Sequence, residues 1–221
     1  MSDDAGGPRR ETGAVSPYRA VLGDELDRLH PRLRPYFEAI PPTAHGFGRG
    51  VFDTVGTPRR WLWPALWVAA RAGVAFPVWE RDVAFTVVNR PVVSADGQPA
   101  VAAERTFGLR SGERTMVDEI GVVAGAIVDR LGRPERIVAR FEARVVDGGL
   151  LLSSTTVGVR FGRVRIRIPR FAAPRVELSE RFDAERDVQR VSIVVGVPLI
   201  GRLYEYAGDF RYEIRTGERT A

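Results

Sequence analysis

The chain has 221 residues with no cysteine and no lysine, and its 33 basic residues, all arginine, face 28 acidic ones for a formal excess of +5. Without Cys there is no disulfide framework, thiol nucleophile or thiolate metal site, and without Lys there is no Schiff base and no phosphate loop of the Gly-Lys-Ser type. The arginines are interleaved with Asp and Glu along the chain, whereas a general nucleic-acid binder gathers its charge on one stripe or tail, so no specific nucleic-acid partner is expected.

Residues 1–16 are Gly, Pro and charge and read as a disordered tail. They hold no apolar core behind a basic start, and no apolar run in the chain reaches the ~18–20 residues that span a bilayer, so the expected compartment is the cytoplasm. From Tyr18 to about Ile40 the pattern predicts helix in two pieces. Asp24 offers an N-cap, Leu26, Leu29, Leu33 and Phe37 recur at helical spacing, and Pro31 and Pro35 break or restart the run. Gly46, Gly48 and Gly50 lead into an extended run rather than opening a helix, which rejects a dinucleotide fingerprint and predicts a glycine-containing first strand.

Arg60–Gly73 is the most apolar stretch, with Trp61, Trp63, Leu66, Trp67 and Val68 on every side of a helix, arginines nearby and Pro64 in the first turn. Three readings arise: a helix buried across one mouth of a sheet, which is preferred, an interfacial helix with Trp at the headgroup level, or a wall of tryptophans around an apolar ligand.

Beyond Asp82 only strands and turns are expected. Val83, Phe85 and Val87 share one face, Asp96-Gly97 turns, and Val101, Ala103, Arg105, Phe107 and Leu109 share the next. Ser111-Gly112 turns into Arg114–Ile120, and Gly121–Leu131 reads equally as a strand or a short helix. The clearest signal follows: Ile137–Val145 alternates apolar and charged positions, Asp147-Gly148-Gly149 supplies hairpin residues, and a second apolar run leads to Arg163, Arg165 and Arg167, ending at Pro169. Phe171–Pro174 connects to a face of Val176, Leu178, Glu180 and Phe182. Another holds Val191, Ile193, Val195 and Val197, and the last holds Tyr204, Tyr206, Phe210, Tyr212 and Ile214.

Few constellations carry chemistry. His30 and His45 have no ligand partner at metal spacing, and no G-x-S-x-G elbow is present. The acids Glu177, Glu180, Asp183, Glu185 and Asp187 alternate with arginines and read as a solvated strand end rather than a general acid–base pair. The arginine row reads first as a charged edge strand; lining a barrel interior, Arg165 would hold an anionic head group.

Several segments resemble a known family. Tyr18-Arg19-Ala20-Val21-Leu22-Gly23, Val146-Asp147-Gly148-Gly149-Leu150, Ile168-Pro169, Pro174-Arg175-Val176-Glu177, and Val197-Pro198-Leu199-Ile200-Gly201 with Tyr206 and Gly208 are similar to a bacterial domain family of unknown function. Its members stand alone or lie C-terminal to saccharopine-dehydrogenase-like proteins. Phe182–Val191 departs from the family's Asp-Gly-Arg-Phe-type turn. The resemblance implies a fold and a possible saccharopine-dehydrogenase-like partner; no dehydrogenase activity carries over.

The resulting expectation is a mainly β domain over 17–215, followed by a flexible 216–221. It is a single curled antiparallel sheet or barrel of roughly eight to ten strands, with N-terminal helices and one covering Trp-rich helix. Its expected function is non-catalytic binding of an apolar or amphipathic, lipid-like molecule, with Trp61, Trp63, Trp67, Tyr204, Tyr206, Phe210 and Arg165 as ligand contacts and no catalytic residue, metal or cofactor. The alternative is an interaction module that docks on an oxidoreductase or makes peripheral contact with a membrane surface; an enzyme ranks third.

Overall fold

The period-two runs fold as twelve antiparallel strands, ten of which close into a barrel. The computed structural model describes residues 15–161, 164–167, 173–198 and 200–216. The two expected tails lie outside these residues except for Val15, Ser16 and Thr216, as do Arg163, Pro169 and, in the Phe171–Pro174 connection, Phe171 and Ala172.

The barrel strands are β1 (Ala44–Gly56), β3 (Val83–Val93), β4 (Pro99–Leu109), β5 (Gly112–Val123), β6 (Ala126–Leu131), β7 (Ile137–Val146), β8 (Gly149–Phe161), β10 (Arg175–Asp183), β11 (Val188–Val197) and β12 (Gly201–Thr216). Around the ring each pairs with the next, and β12 returns to β1. β2 (Trp79–Glu80) extends the end of β1. β8 forks: Leu150–Ser153 pair with β10, while Gly158–Phe161 pair with β9 (Val164–Arg167). Closure leaves the ring without a free edge.

Local chemistry sets the turns. Asp147 and Gly148 both have positive φ, at 49° and 73°, as a two-residue type I′ hairpin requires. Ala124 and Gly125, at 47° and 71°, make a second such turn, and this resolves Gly121–Leu131 as the end of β5 and all of β6, with no helix. In β1, Gly46, Gly48 and Gly50 leave the space that the side chains of Tyr212 and Phe210 occupy: a Cβ on Gly46 would lie 1.6 Å from the Tyr212 hydroxyl.

One mouth is plugged by the N-terminal segment. Ser16, rather than Asp24, caps α1 (Pro17–Leu22): its hydroxyl accepts the Arg19 N–H at 3.0 Å. Gly23 ends that helix at φ 55° and places Asp24 inside a following 3-10 turn. Pro35 lies in the first turn of α2 (Arg34–Phe37), where its missing N–H is tolerated. Leu22, Leu26, Leu29, Leu33 and Phe37 bury into the barrel end against Phe141, Val145, Leu150 and Leu152, each side chain contributing roughly 1.5–3 kcal/mol. The His30 N–H donates to the Gly148 carbonyl at 2.9 Å and its ring stacks on Phe182, so this histidine serves packing.

The opposite mouth is spanned by α3 (Trp63–Arg71), which lies between β1 and β3 in the chain. Beside it, a second core gathers Phe52, Phe76, Phe85, Phe107 and Tyr206. On the outer wall Arg190 of β11 pairs with Asp209 of β12 at 2.8 Å and with Asp53 of β1 at 2.6 Å. Among the described residues no helix is long and apolar enough to cross a membrane.

Candidate ligand-binding site

Between the plug and α3 the barrel encloses a cavity of about 270 Å³, room for roughly nine waters at the ~30 Å³ each occupies in the liquid. Leu62, Leu66 and Ala69 roof it, Tyr18 and Tyr36 floor it, and the inward positions of β5 to β8 and β10 to β12 form its wall. Val176, Leu178, Ile193 and Val195 alternate with outward residues yet are only half-buried, because the surface they keep faces the cavity. The wall is mostly aliphatic and aromatic, as small-molecule sites are.

Four charged side chains interrupt it. Arg105, Asp118, Asp129 and Glu180 all line the cavity, and the first three stand on the adjacent strands β4, β5 and β6, where Ala103 faces Asp118 and Ile120 faces Asp129 across the ladders. Arg105 donates to Oδ1 of Asp118, which is 6% exposed. Oδ2 of Asp118 and Oδ1 of Asp129 have no hydrogen-bond partner among the described residues. Across the cavity, buried Glu180 accepts a hydrogen bond from Nε2 of buried Gln189. Burial raises the Glu180 carboxyl to about 7 against the smaller opposing pull of Gln189 and Arg105. It pushes Asp129 up as well, with Arg105 and Arg130 opposing. Tyr18 and Tyr36 are held above their ordinary value, chiefly by burial. The chamber is therefore a greasy cavity with a polar floor, and the described residues hold no cluster of ligands for a metal ion.

A family model described as a domain of unknown function, DUF4166, matches residues 29–210, well over half of the chain. The chain belongs to the DUF4166 family. It is also similar to a Bacillus subtilis (strain 168) protein named "Uncharacterized protein YndH", 26% identical over 140 residues that cover 61% of this chain and 67% of that one. No solved structure matches. Neither comparison names a chemistry, and function is argued from the cavity.

This DUF4166 domain places the expected site residues unevenly. Tyr204 and Tyr206 line the cavity, and the Tyr204 hydroxyl accepts the Phe76 N–H at 3.3 Å. Phe210 instead packs against Tyr36 and Phe85 in the core. Trp61 and Trp67 are 61% and 56% exposed, and the cavity roof is made by Leu62, Leu66 and Ala69. Trp63 is half-buried, with Arg60 over its ring at 5.7 Å and its Nε1–H directed at the Thr57 carbonyl. α3 thus covers the mouth without being buried there. Arg165 belongs to β9, whose side chains fall outside the described residues. Of the acids read as a solvated strand end, Glu177, Glu185 and Asp187 are exposed, but Glu180 faces inward and is buried, so for that residue the reading is corrected. It shares its strand face with Val176, Leu178 and Phe182, and the barrel turns that face inside.

The residues overlooked in the sequence share one signature. Arg105 stands between Ala103 and Phe107, Asp118 between Met116 and Ile120, Asp129 between Ile127 and Leu131, and Glu180 between Leu178 and Phe182. Each is a charge with apolar side chains two residues away on both sides of the same strand face, the mark of an inward polar group.

The roof is tied by hydrogen bonds at both ends. Arg59 donates through Nε to the Arg202 carbonyl and through a terminal nitrogen to that of Ile200, both at 2.8 Å. After the helix, Val117 N–H and Arg133 N–H donate to the carbonyls of Gly73 and Ala72 at 3.0 and 2.9 Å. No residue of α3 itself is fully buried.

Proposed function

We propose that the barrel binds, without catalysis, an apolar or amphipathic small molecule of lipid-like character in its central cavity, in the cytoplasm. The observation that carries this reading is the cavity of about 270 Å³ with an apolar wall, stopped by a plug at one end and covered by α3 at the other. A core built only for stability would fill such a space, since each void forfeits packing energy. Native mass spectrometry of freshly purified protein from two expression hosts, followed by solvent extraction, is expected to show an extractable small-molecule adduct or, after delipidation, uptake of the apolar dye Nile red. Leu178→Trp, which projects an indole into the cavity, is expected to weaken Nile red uptake at least about tenfold while the thermal midpoint holds. Failure of both adduct and dye would sink the reading.

A second reading rests on the exposed side chains of α3 and of the 3-10 turn Arg60–Leu62 before it. Trp61, Trp67 and Val68, the last 64% exposed, stand together with exposed Arg60 and Arg71, a combination suited to an anionic lipid surface. The saccharopine-dehydrogenase-like protein implied by the family resemblance is the competing occupant of that face. Flotation with phosphatidylglycerol–phosphatidylcholine vesicles is expected to carry the chain upward, and Trp61→Glu with Trp67→Glu to abolish it. Indifference to these vesicles would leave the face to a protein partner.

A further inference from the structure

We infer that the polar end of the cavity ligand is a hydrogen-bond donor, an alcohol or an ammonium, and not a carboxylate. The inference deepens the ligand-binding reading above and rests on it.

The geometry of the charged floor carries the argument. The cavity holds three carboxyl groups, on Asp118, Asp129 and Glu180, against the guanidinium of Arg105. That guanidinium is already engaged by Oδ1 of Asp118, so a ligand carboxylate would have to displace a buried ion-pair partner to reach it. Separating such a pair leaves an uncompensated buried charge. The incoming carboxylate would also add negative charge beside three acids in a medium of low dielectric, where like charges repel strongly.

The vacant valences point the other way. Oδ2 of Asp118 and Oδ1 of Asp129 are buried acceptors without a donor among the described residues, on groups that can only accept when ionised. Leaving a buried acceptor unmade costs about 1–3 kcal/mol, so an occupant of this corner gains by presenting O–H or N–H groups. Tyr18, Tyr36 and Tyr206 border the same floor and hold a small polar head in place, while the aliphatic wall of β7, β8, β10 and β11 takes the chain.

Displacement of Nile red at pH 8, where the raised carboxyls are ionised, tests this with three ligands of one chain length: decylamine, decanol and decanoate. Decylamine and decanol are expected to displace the dye at concentrations at least about tenfold below decanoate. Asp118→Asn and the near-isosteric Asp129→Asn are each expected to weaken decylamine about tenfold and to narrow its advantage over decanoate. If Asp118→Asn fails to fold for want of a partner for Arg105, Asp129→Asn alone decides. Decanoate binding as tightly as the others, or an amine-to-carboxylate ratio unmoved by Asp129→Asn, overturns the inference while Nile red uptake leaves the cavity reading standing. Refusal of Nile red itself overturns both.

Discussion

Replacing Phe107 with alanine is expected to lower stability by about 3–5 kcal/mol, the range for deleting a fully buried ring from a packed core. Phe107 is 0% exposed and holds ring contacts in four directions, with centroids 5.6 Å from Phe52, 5.8 Å from Phe76, 5.4 Å from Phe85 and 5.9 Å from Tyr206. Pairs of this geometry contribute roughly 0.5–1.5 kcal/mol each beyond the area they bury. Phe107→Leu keeps most of the volume and is expected to cost about 1–2 kcal/mol. Urea unfolding of the two variants beside the parent reads the difference. A loss under about 1 kcal/mol for alanine would show that the four rings collapse onto the gap, and that β1, β3, β4 and β12 do not depend on this side chain. Because Tyr206 also faces the cavity and Phe76 holds the hydroxyl of Tyr204 through its N–H, the alanine variant should loosen ligand uptake as well.

The second large effect is pH dependence through Glu180. Burial raises its carboxyl from the ordinary 4.5 to about 7 in the folded chain, so the folded state holds a proton that the unfolded state releases. Stability from this group is present in full below about pH 4.5, drains away as pH rises, and is gone above about 7. The difference between the two ends of that window is of order 3 kcal/mol. Glu180→Gln keeps the shape and an acceptor for Gln189 but removes the titration. The variant is expected to match the parent near pH 4 and to exceed it by up to that amount at pH 8, measured as urea midpoints across the range. A parent–variant difference that stays flat with pH would mean Glu180 remains ionised in the fold, with Arg105 outweighing its burial.

Much of the barrel was legible because period two is a backbone property: a strand with one dry and one wet face must alternate whatever it packs against. The even-numbered aromatics of β12, from Tyr204 to Tyr212, followed from that rule, and the Asp147-Gly148 turn from the positive φ that glycine supplies without a steric cost. Gly121–Leu131 stayed ambiguous because its turn places Ala124 at φ 47°, a position where sequence gives little warning. Ser16 and Asp24 are both good capping residues; the choice between them is made by Gly23, which stops α1 between the two. The tryptophans illustrate a different gap. Composition shows that 60–73 is apolar all round, but only the docked helix shows that Leu66 faces in while Trp67 faces out. The charged floor was overlooked, although each of its charges stands between apolar neighbours on its strand face. That Arg105 finds Asp118 depends on the register of two strands, which no single stretch encodes.

The fork in β8 bears on how the wall can open. Over Leu150–Ser153 the wall is stitched to β10, and from Gly158 onward the same strand turns its hydrogen bonds to β9. Pro174 and Val176, at the point of divergence, border the chamber. Because one strand divides its hydrogen bonds between two partners, the β9 end can open without unzipping the ladder to β10, a local event well below global unfolding in cost.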